Sequence, residues 1–317
     1  MTALSGVPDE ALRALGVLLR EREYRFITPT PATHARVNAR HGSDQARSLE
    51  DALGWSRPFA RGVIADEIFL LLHSAGALEE TDGVWRSRIR ASTIGNELFF
   101  HSAFPTTGAD AVFFGPDTYR FCTAIEHNLR SLNTPVKTVA DIGCGSGAGG
   151  IIIARALPEA RVVMGDINEA ALRLARINVE ISGLQNIEVV KSDLLKNMPG
   201  EFDMVVANPP YLRDPLQRTY RHGGGELGER LSLDIIEAAI DRLAPGGTLL
   251  LYTGSAIREG EDLFGAAAAA KLEQAGIDYE YRELDPDVFG EELEQAPYDR
   301  VDRIAVVQLT ARKLEHA

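Results

Sequence analysis

Two hydrophobic patterns divide the chain. In the first, residues 7–23 put Leu12, Leu15, Leu18 and Leu19 on one helical face, and residues 46–53 predict a second, short helix. Pro29 and Pro31 interrupt the stretch between them. Pro58 opens a further apolar run, Val63 to Leu72, which Gly76 ends. Residues Gly83 to Arg90 alternate as a strand does, and a second strand around Glu97–Phe100 would complete a hairpin with it. Helices followed by a small hairpin predict a mainly helical, winged-helix-like unit over residues 1–104. It reads as a cap or dimerisation domain, because no basic recognition helix stands out.

Residues 101–116 (HSAFPTTGADAVFFGP) read as a linker or lid. Beyond them strand and helix spacing alternate. Strands are predicted at 135–140, 161–165, 187–191, 202–207 and 247–253, and helices at 148–157, 169–182, 229–243 and 257–275. The last two strands, 278–284 and 301–309, have no helix between them and must run antiparallel. Such a series predicts an α/β domain over residues 105–317, a doubly wound, mostly parallel sheet with helices on both faces.

Charge and composition narrow the function classes. The 317 residues carry 33 basic and 46 acidic side chains, a net charge of −13. Such a surface repels phosphate backbones and weighs against a nucleic-acid partner. The deficit is uneven: residues 1–110 hold 12 arginines, no lysine and 14 acids, and the first lysine is Lys137. The two cysteines, Cys122 and Cys144, form no Cys-x-x-Cys pair and the seven histidines are scattered, so neither a disulfide framework nor a metal site is expected. No apolar run approaches the ~18–20 residues of a membrane span. The opening MTALSGVPDEALRAL lacks a basic segment followed by an apolar one, so the expected location is the cytoplasm, with no membrane partner.

The chemistry gathers at predicted strand ends. Val139-Ala140-Asp141-Ile142-Gly143-Cys144-Gly145-Ser146-Gly147 follows the first strand of the series and opens a helix. Its glycines permit a sharp turn and close approach of a ligand to backbone N–H groups. Gly145-x-Gly147-x-x-Gly150 has dinucleotide spacing, and Asp141-x-Gly143-x-Gly145-x-Gly147 is the other register. The acid favours the second, because a carboxylate repels a pyrophosphate and attracts the ammonium of S-adenosylmethionine. Asp166 ends the second strand, where a carboxylate can accept both hydroxyls of a ribose. Asp193, in Lys191-Ser192-Asp193-Leu194, ends the third, where it can accept from an adenine amino group. The fourth runs into Asn208-Pro209-Pro210-Tyr211. Two prolines fix the backbone and remove two donors, so the loop presents acceptors and an aromatic face to a planar nitrogen. Asn208 Oδ1 and the Pro209 carbonyl could each accept one N–H of that nitrogen, which is catalysis by orientation and charge stabilisation, with no strong base.

With these motifs in place, residues 117–310 resemble the class I S-adenosylmethionine-dependent methyltransferases. They resemble in particular the branch that carries Asn-Pro-Pro-Tyr, which contains the glutamine N5-methyltransferases of release factors and ribosomal proteins and amino-methylating DNA and RNA enzymes. The family fold is a seven-stranded Rossmann-like sheet with an antiparallel last strand, and the strand count above agrees. The resemblance implies S-adenosyl-L-methionine as cofactor. It implies Asp141, Ile142, Gly143 and Gly145 at its methionine end, Asp166 and Ile167 at the ribose, Ser192, Asp193 and Leu194 near the adenine, and Asn208, Pro209, Pro210 and Tyr211 around the target nitrogen. Phe114-Gly115-Pro116-Asp117-Thr118 is similar to the Arg-Pro-Asp-Thr-Glu segment that covers the cofactor in the glutamine enzymes, which would bring Phe114 and Thr118 to the site; here Gly115 replaces the Arg and Tyr119 the Glu. The run Tyr220-Arg221-His222-Gly223-Gly224 departs from those enzymes and is similar to bacterial methyltransferases with an extra N-terminal domain. Arg221 and His222 are candidate contacts to the acceptor.

The expected activity is methyl transfer to an amide or amino nitrogen, of a protein glutamine or a small molecule. An O- or C-methyltransferase with the N-terminal unit as lid, an amino-methyltransferase of nucleic acid, and a non-catalytic cofactor-binding regulator are the alternatives. Any homodimer would be expected to form through the N-terminal unit.

Overall fold

The computed structural model describes residues 7–131, 134–294 and 296–315. The N-terminal unit comprises α1 (Val7–Glu21), α2 (Pro31–Asn38), α3 (Leu49–Leu53) and α4 (Asp66–Ser74), then β1 (Leu78–Thr81), β2 (Val84–Ser87), β3 (Ile89–Ile94) and β4 (Glu97–Ser102). Leu12, Leu15 and Leu19 of α1 are buried as the periodicity requires. Two features differ from expectation. Pro31, read as an interruption, is the first residue of α2, where its missing N–H costs nothing; the Thr30 hydroxyl accepts from Thr33 N at 3.2 Å. The segment 83–90 is not one strand. Asp82-Gly83, both at positive φ, turn β2 back onto β1, the chain bends at Arg88, and β3 pairs with β4 in a second hairpin.

The second part follows the alternating pattern: α5 (Pro116–Ser131), β5 (Thr138–Ile142), α6 (Ala148–Ala156), β6 (Arg161–Asp166), α7 (Glu169–Ser182), β7 (Ile187–Lys191), β8 (Phe202–Ala207), α8 (Arg230–Arg242), β9 (Leu243–Arg258), β10 (Glu261–Asp262), α9 (Leu263–Gln274), β11 (Asp278–Asp285) and β12 (Arg303–Arg312). The sheet order is β11-β12-β9-β8-β5-β6-β7, with the short β10 paired to β9. β5 to β9 are parallel, and β12 is antiparallel to both its neighbours. Helices α5, α6 and α7 cover one face and α8 and α9 the other. The fold is the doubly wound α/β sheet expected from the pattern. The helix expected from residue 257 begins at Leu263, capped by Asp262; Ile257 continues β9 because it pairs with Arg303, a partner local helix propensity knows nothing of. Helix α5 has no counterpart in the sequence reading: only its first residue, Pro116, falls in the linker or lid expected at 101–116, and no element is predicted over 117–131.

The two parts share one core. Ala171, Leu174, Ile177 and Ile181 of α7 lie in the same buried cluster as Leu12, Leu15, Leu72 and Phe100. Helix α7 is therefore buried on both sides, against the sheet through Ala175 and against the N-terminal unit through this cluster. Charged contacts reinforce the seam: Arg155 on α6 holds the buried Glu97 at 2.8 Å and Arg173 on α7 holds Asp9 at 2.7 Å. No described helix is long and apolar enough to cross a membrane.

Candidate active site

The order of the sheet decides where a ligand can sit. β5 has β6 on one side and β8 on the other, so the connections leaving its carboxyl end part and open a crevice. Ile142 pairs with Ala207, which sets the glycine loop after β5 beside Asn208 after β8. A cleft of about 230 Å³ opens there. Its floor is Asp141, Gly143, Cys144 and Gly145. Asp166 and Ile167, Ser192 to Leu194, and Asn208 to Leu212 form its walls, with Thr118, Phe113 and Tyr220 over it.

The glycine loop is pinned from below. Gly143 N and Cys144 N donate to the Gly165 carbonyl at 2.8 and 3.0 Å, and Gly145 N to Asp166 Oδ2 at 3.0 Å. Gly143 and Gly145 sit at φ +67° and +55°, and a β-carbon on either would meet nothing within 4 Å. The loop thus presents bare backbone.

Each predicted acid lines the cleft, with a different surrounding. Asp141 is fully buried and its Oδ2 accepts from Gly150 N at 2.8 Å. Burial pushes its carboxyl up to about 7, with the nearby Asp166 charge adding to the rise. Asp166 is half-buried; its carboxyl is raised by burial and pulled back by the N–H groups of Asn168, Gly145 and Ile167. Asp193 is exposed and paired with Lys196. The Ser192 hydroxyl is engaged by the protein, donating to the Leu194 carbonyl at 2.8 Å and accepting from Asn197 N at 3.0 Å, so it offers a ligand less than a free serine would. Ile167, 57% exposed, lays an apolar side chain on the rim.

On the acceptor side, Asn208 is half-buried; among the described residues its side-chain amide and the Pro209 carbonyl have no hydrogen-bond partner. Tyr211 is buried, and its hydroxyl donates to Asp117 Oδ2 at 2.8 Å while Tyr252 donates to Oδ1 at 2.9 Å. Burial beside that carboxylate drives the Tyr211 phenol far above its ordinary value, so it stays protonated. Gly254 leaves room for the ring: a β-carbon there would stand 2.1 Å from Tyr211 Cδ2. The loop behind is equally close-packed, with Gly223 N donating to the Leu212 carbonyl at 2.8 Å.

Two expectations need correction. Phe114 does not line the cleft; it is fully buried, stacked on His101 at 4.8 Å, while its neighbour Phe113 faces the opening and stacks on Tyr220 at 6.1 Å. Consecutive residues in extended chain point to opposite sides, so one of the pair had to turn inward. His222 also lies outside the lining; its Nδ1 accepts from Asp214 N at 3.3 Å. Arg221 does reach the cleft, but Asp214 at 3.7 Å and Glu292 already neutralise it. The residue missed as a site member is Asp117, whose signal was only its place in the Pro-Asp-Thr segment. The segment expected to be a linker or lid is tied to the loop after Tyr211: Tyr220 donates to the Thr106 carbonyl at 2.7 Å and Thr219 to that of Ala109 at 3.0 Å.

Comparison with known proteins shows what this arrangement is similar to. Residues 123–266 match the methyltransferase small domain family. This part of the chain is similar to a methyltransferase domain. The chain is 33% identical over 197 residues to a release factor glutamine methyltransferase of Deinococcus radiodurans, covering 59% of this chain and 66% of that one. It is also 33% identical over 128 residues to a ribosomal RNA small subunit methyltransferase C of Pasteurella multocida, covering 40% and 36%. Among solved structures, the ribosomal protein L11 methylase of Lactobacillus delbrueckii subsp. bulgaricus matches with 21% identity and a TM-score of 0.42, over 62% of this chain and 80% of that one. The match spans less than two thirds of the length of either curated relative. The expectation against nucleic acid, drawn from net charge, gains no support from these methyltransferases, one of which is named for ribosomal RNA.

The cleft's residues fit S-adenosylmethionine, the cofactor the motifs imply. The bare glycine backbone leaves space for a ligand to approach, and the buried Asp141 carboxyl, raised by burial, is a place where a cation is favoured.

Proposed function

We propose that this chain transfers a methyl group from S-adenosylmethionine to an amide or amino nitrogen, of a protein glutamine or a small molecule, held by Asn208-Pro209-Pro210-Tyr211. In this reading Asp141, Ile142, Gly143 and Gly145 hold the methionine end of the cofactor. Asp166 and Ile167 hold the ribose, and Asp193 and Leu194, with Ser192 behind them, the adenine. Thr118 and Phe113 lie over it. Bound there, the cofactor supplies an electrophilic methyl carbon.

The observation that carries the reading is the pair of unpartnered acceptors, Asn208 Oδ1 and the Pro209 carbonyl, on the cleft wall next to the glycine loop. Each takes one N–H of a planar nitrogen. Together they fix its plane and turn its lone pair into the cleft, and they stabilise the positive charge that grows on it. The Pro-Pro backbone keeps both acceptors in place without strand or helix bonds. Tyr211 contributes the face of its ring, since its hydroxyl is committed to Asp117. The methylated nitrogen then sheds its extra proton to solvent, so no strong base is needed.

The test is to incubate an extract of cells lacking this protein with the purified chain and cofactor labelled in the methyl group, then to locate the label by mass spectrometry. Label on a protein amide or on a small-molecule nitrogen supports the reading. Label on oxygen or carbon, or in RNA or DNA, overturns the acceptor assignment, and failure to bind the cofactor overturns the whole.

A further inference from the structure

Asn178, on α7, is completely buried, and all three of its amide hydrogen-bonding positions in use point to backbone outside its own helix. Its Oδ1 accepts from Phe100 N at 2.9 Å, and its Nδ2 donates to the Phe100 carbonyl at 3.1 Å and to the Ser146 carbonyl at 2.8 Å. Phe100 lies in β4, which pairs with β3 alone. The side chain therefore completes that strand as another strand would, using one donor and one acceptor. Ser146 lies in the glycine loop, between Gly145 and Gly147, and lines the cleft. A single amide thus joins the N-terminal hairpin to the cofactor loop.

We infer that Asn178 is a positioning residue of the cofactor site, and that through it the N-terminal unit is a working part of that site. The inference rests on the cofactor assignment above and adds a source of affinity that no cleft residue supplies. Three kinds of bond hold the loop among the described residues: those from Gly143, Cys144 and Gly145 to the end of β6, the turn bond from Gly147 N to the Cys144 carbonyl at 2.8 Å, and the Asn178 bond to Ser146. The first hold its start, the second closes it on itself, and the third ties its end, just before α6, to α7. Without the Asn178 bond the Ser146 carbonyl is buried with no partner and the loop's end loses its tie to α7, so the backbone a ligand would meet can shift. The hinge is stiff because α7 cannot move independently. Its other face is locked into the N-terminal core by Leu174, Ile177 and Ile181, and Arg20 of α1 donates to the Ile181 carbonyl.

The experiment measures S-adenosylmethionine affinity by isothermal titration in the full chain at a temperature where every variant is folded by circular dichroism. Asn178→Ala is expected to weaken binding tenfold or more. Leu72→Ala, which empties volume in the N-terminal core without touching Asn178, is the control for lost stability and is expected to bind within twofold of the unaltered protein. Equal binding by Asn178→Ala and the unaltered chain overturns the inference, as does equal weakening by Leu72→Ala. If Asn178→Ala does not fold, hydrogen exchange on the unaltered protein decides. Cofactor should slow exchange in β4 around Phe100, remote from the cleft lining, and slowing confined to the glycine loop overturns the inference. If the unaltered chain binds no cofactor at all, it is the methyltransferase reading that fails.

Discussion

The Tyr211 hydroxyl ends 2.8 Å from Asp117 Oδ2, so the aromatic residue of the acceptor loop is anchored to the start of α5, 94 positions earlier in the chain. The carboxylate also takes the Tyr252 hydroxyl and lies 3.5 Å from Arg120, which in turn holds Asp285 at 2.9 Å. Tyr211 is held by its polar end and presents its ring. Replacing it by Phe should cost about 1 kcal/mol of stability, the net worth of one buried hydrogen bond, and should leave measurable methyl transfer. Replacing Gly254 by Ala should be worse for turnover than Tyr211→Phe, because the new methyl occupies the position of the ring. Label incorporation and thermal melting on the two variants give the comparison. Faster transfer by Gly254→Ala than by Tyr211→Phe would remove ring placement as the relevant property.

Asn208→Ala should bind S-adenosylmethionine as the unaltered chain does and transfer no methyl. The side chain has no structural bond among the described residues to lose, so stability should change by less than about 0.5 kcal/mol. Titration calorimetry and label incorporation check the two halves separately, and an active variant would refute the acceptor role.

Asp166→Ala should weaken cofactor binding by about 1.5–3 kcal/mol, the cost of leaving hydrogen-bonding partners unmet. The same carboxylate holds Gly145 N and Asn168 N, so its loss loosens the loop as well as removing an acceptor. Unchanged affinity would dismiss Asp166 as a ligand.

Asp141 makes binding depend on pH. Its carboxyl, ordinarily at 3.8, is raised to about 7 by burial. The folded chain holds this proton more tightly than the unfolded one, so the group's contribution to stability is complete below about 4 and is lost as pH rises through 7. A cation beside it favours the ionised form and offsets that loss. The rise in melting temperature on adding S-adenosylmethionine should therefore be larger at pH 8 than at pH 6, and Asp141→Asn should flatten the difference. A rise independent of pH in the unaltered chain would place the cation elsewhere.

The strand ends and the motifs on them were legible from sequence because they are local facts. A strand period of two, a glycine run opening a helix and a Pro-Pro pair after a strand each act over a few residues, and the parallel sheet then lines up their carboxyl ends. Period and spacing accordingly located β6, α7, β7 and β8 and the residues Asp141, Asp166, Asp193 and Asn208. Tertiary structure alone decided the rest, because it depends on partners far along the chain. Pairing with Arg303 extended β9 over Ile257, the facing of two neighbouring phenylalanines chose Phe113 for the cleft and Phe114 for the core, Asp117 met Tyr211, and Asn178 joined Phe100 to Ser146. A hydrogen bond between residues far apart in the chain leaves no period in the sequence; it exists only once packing has brought its two ends together.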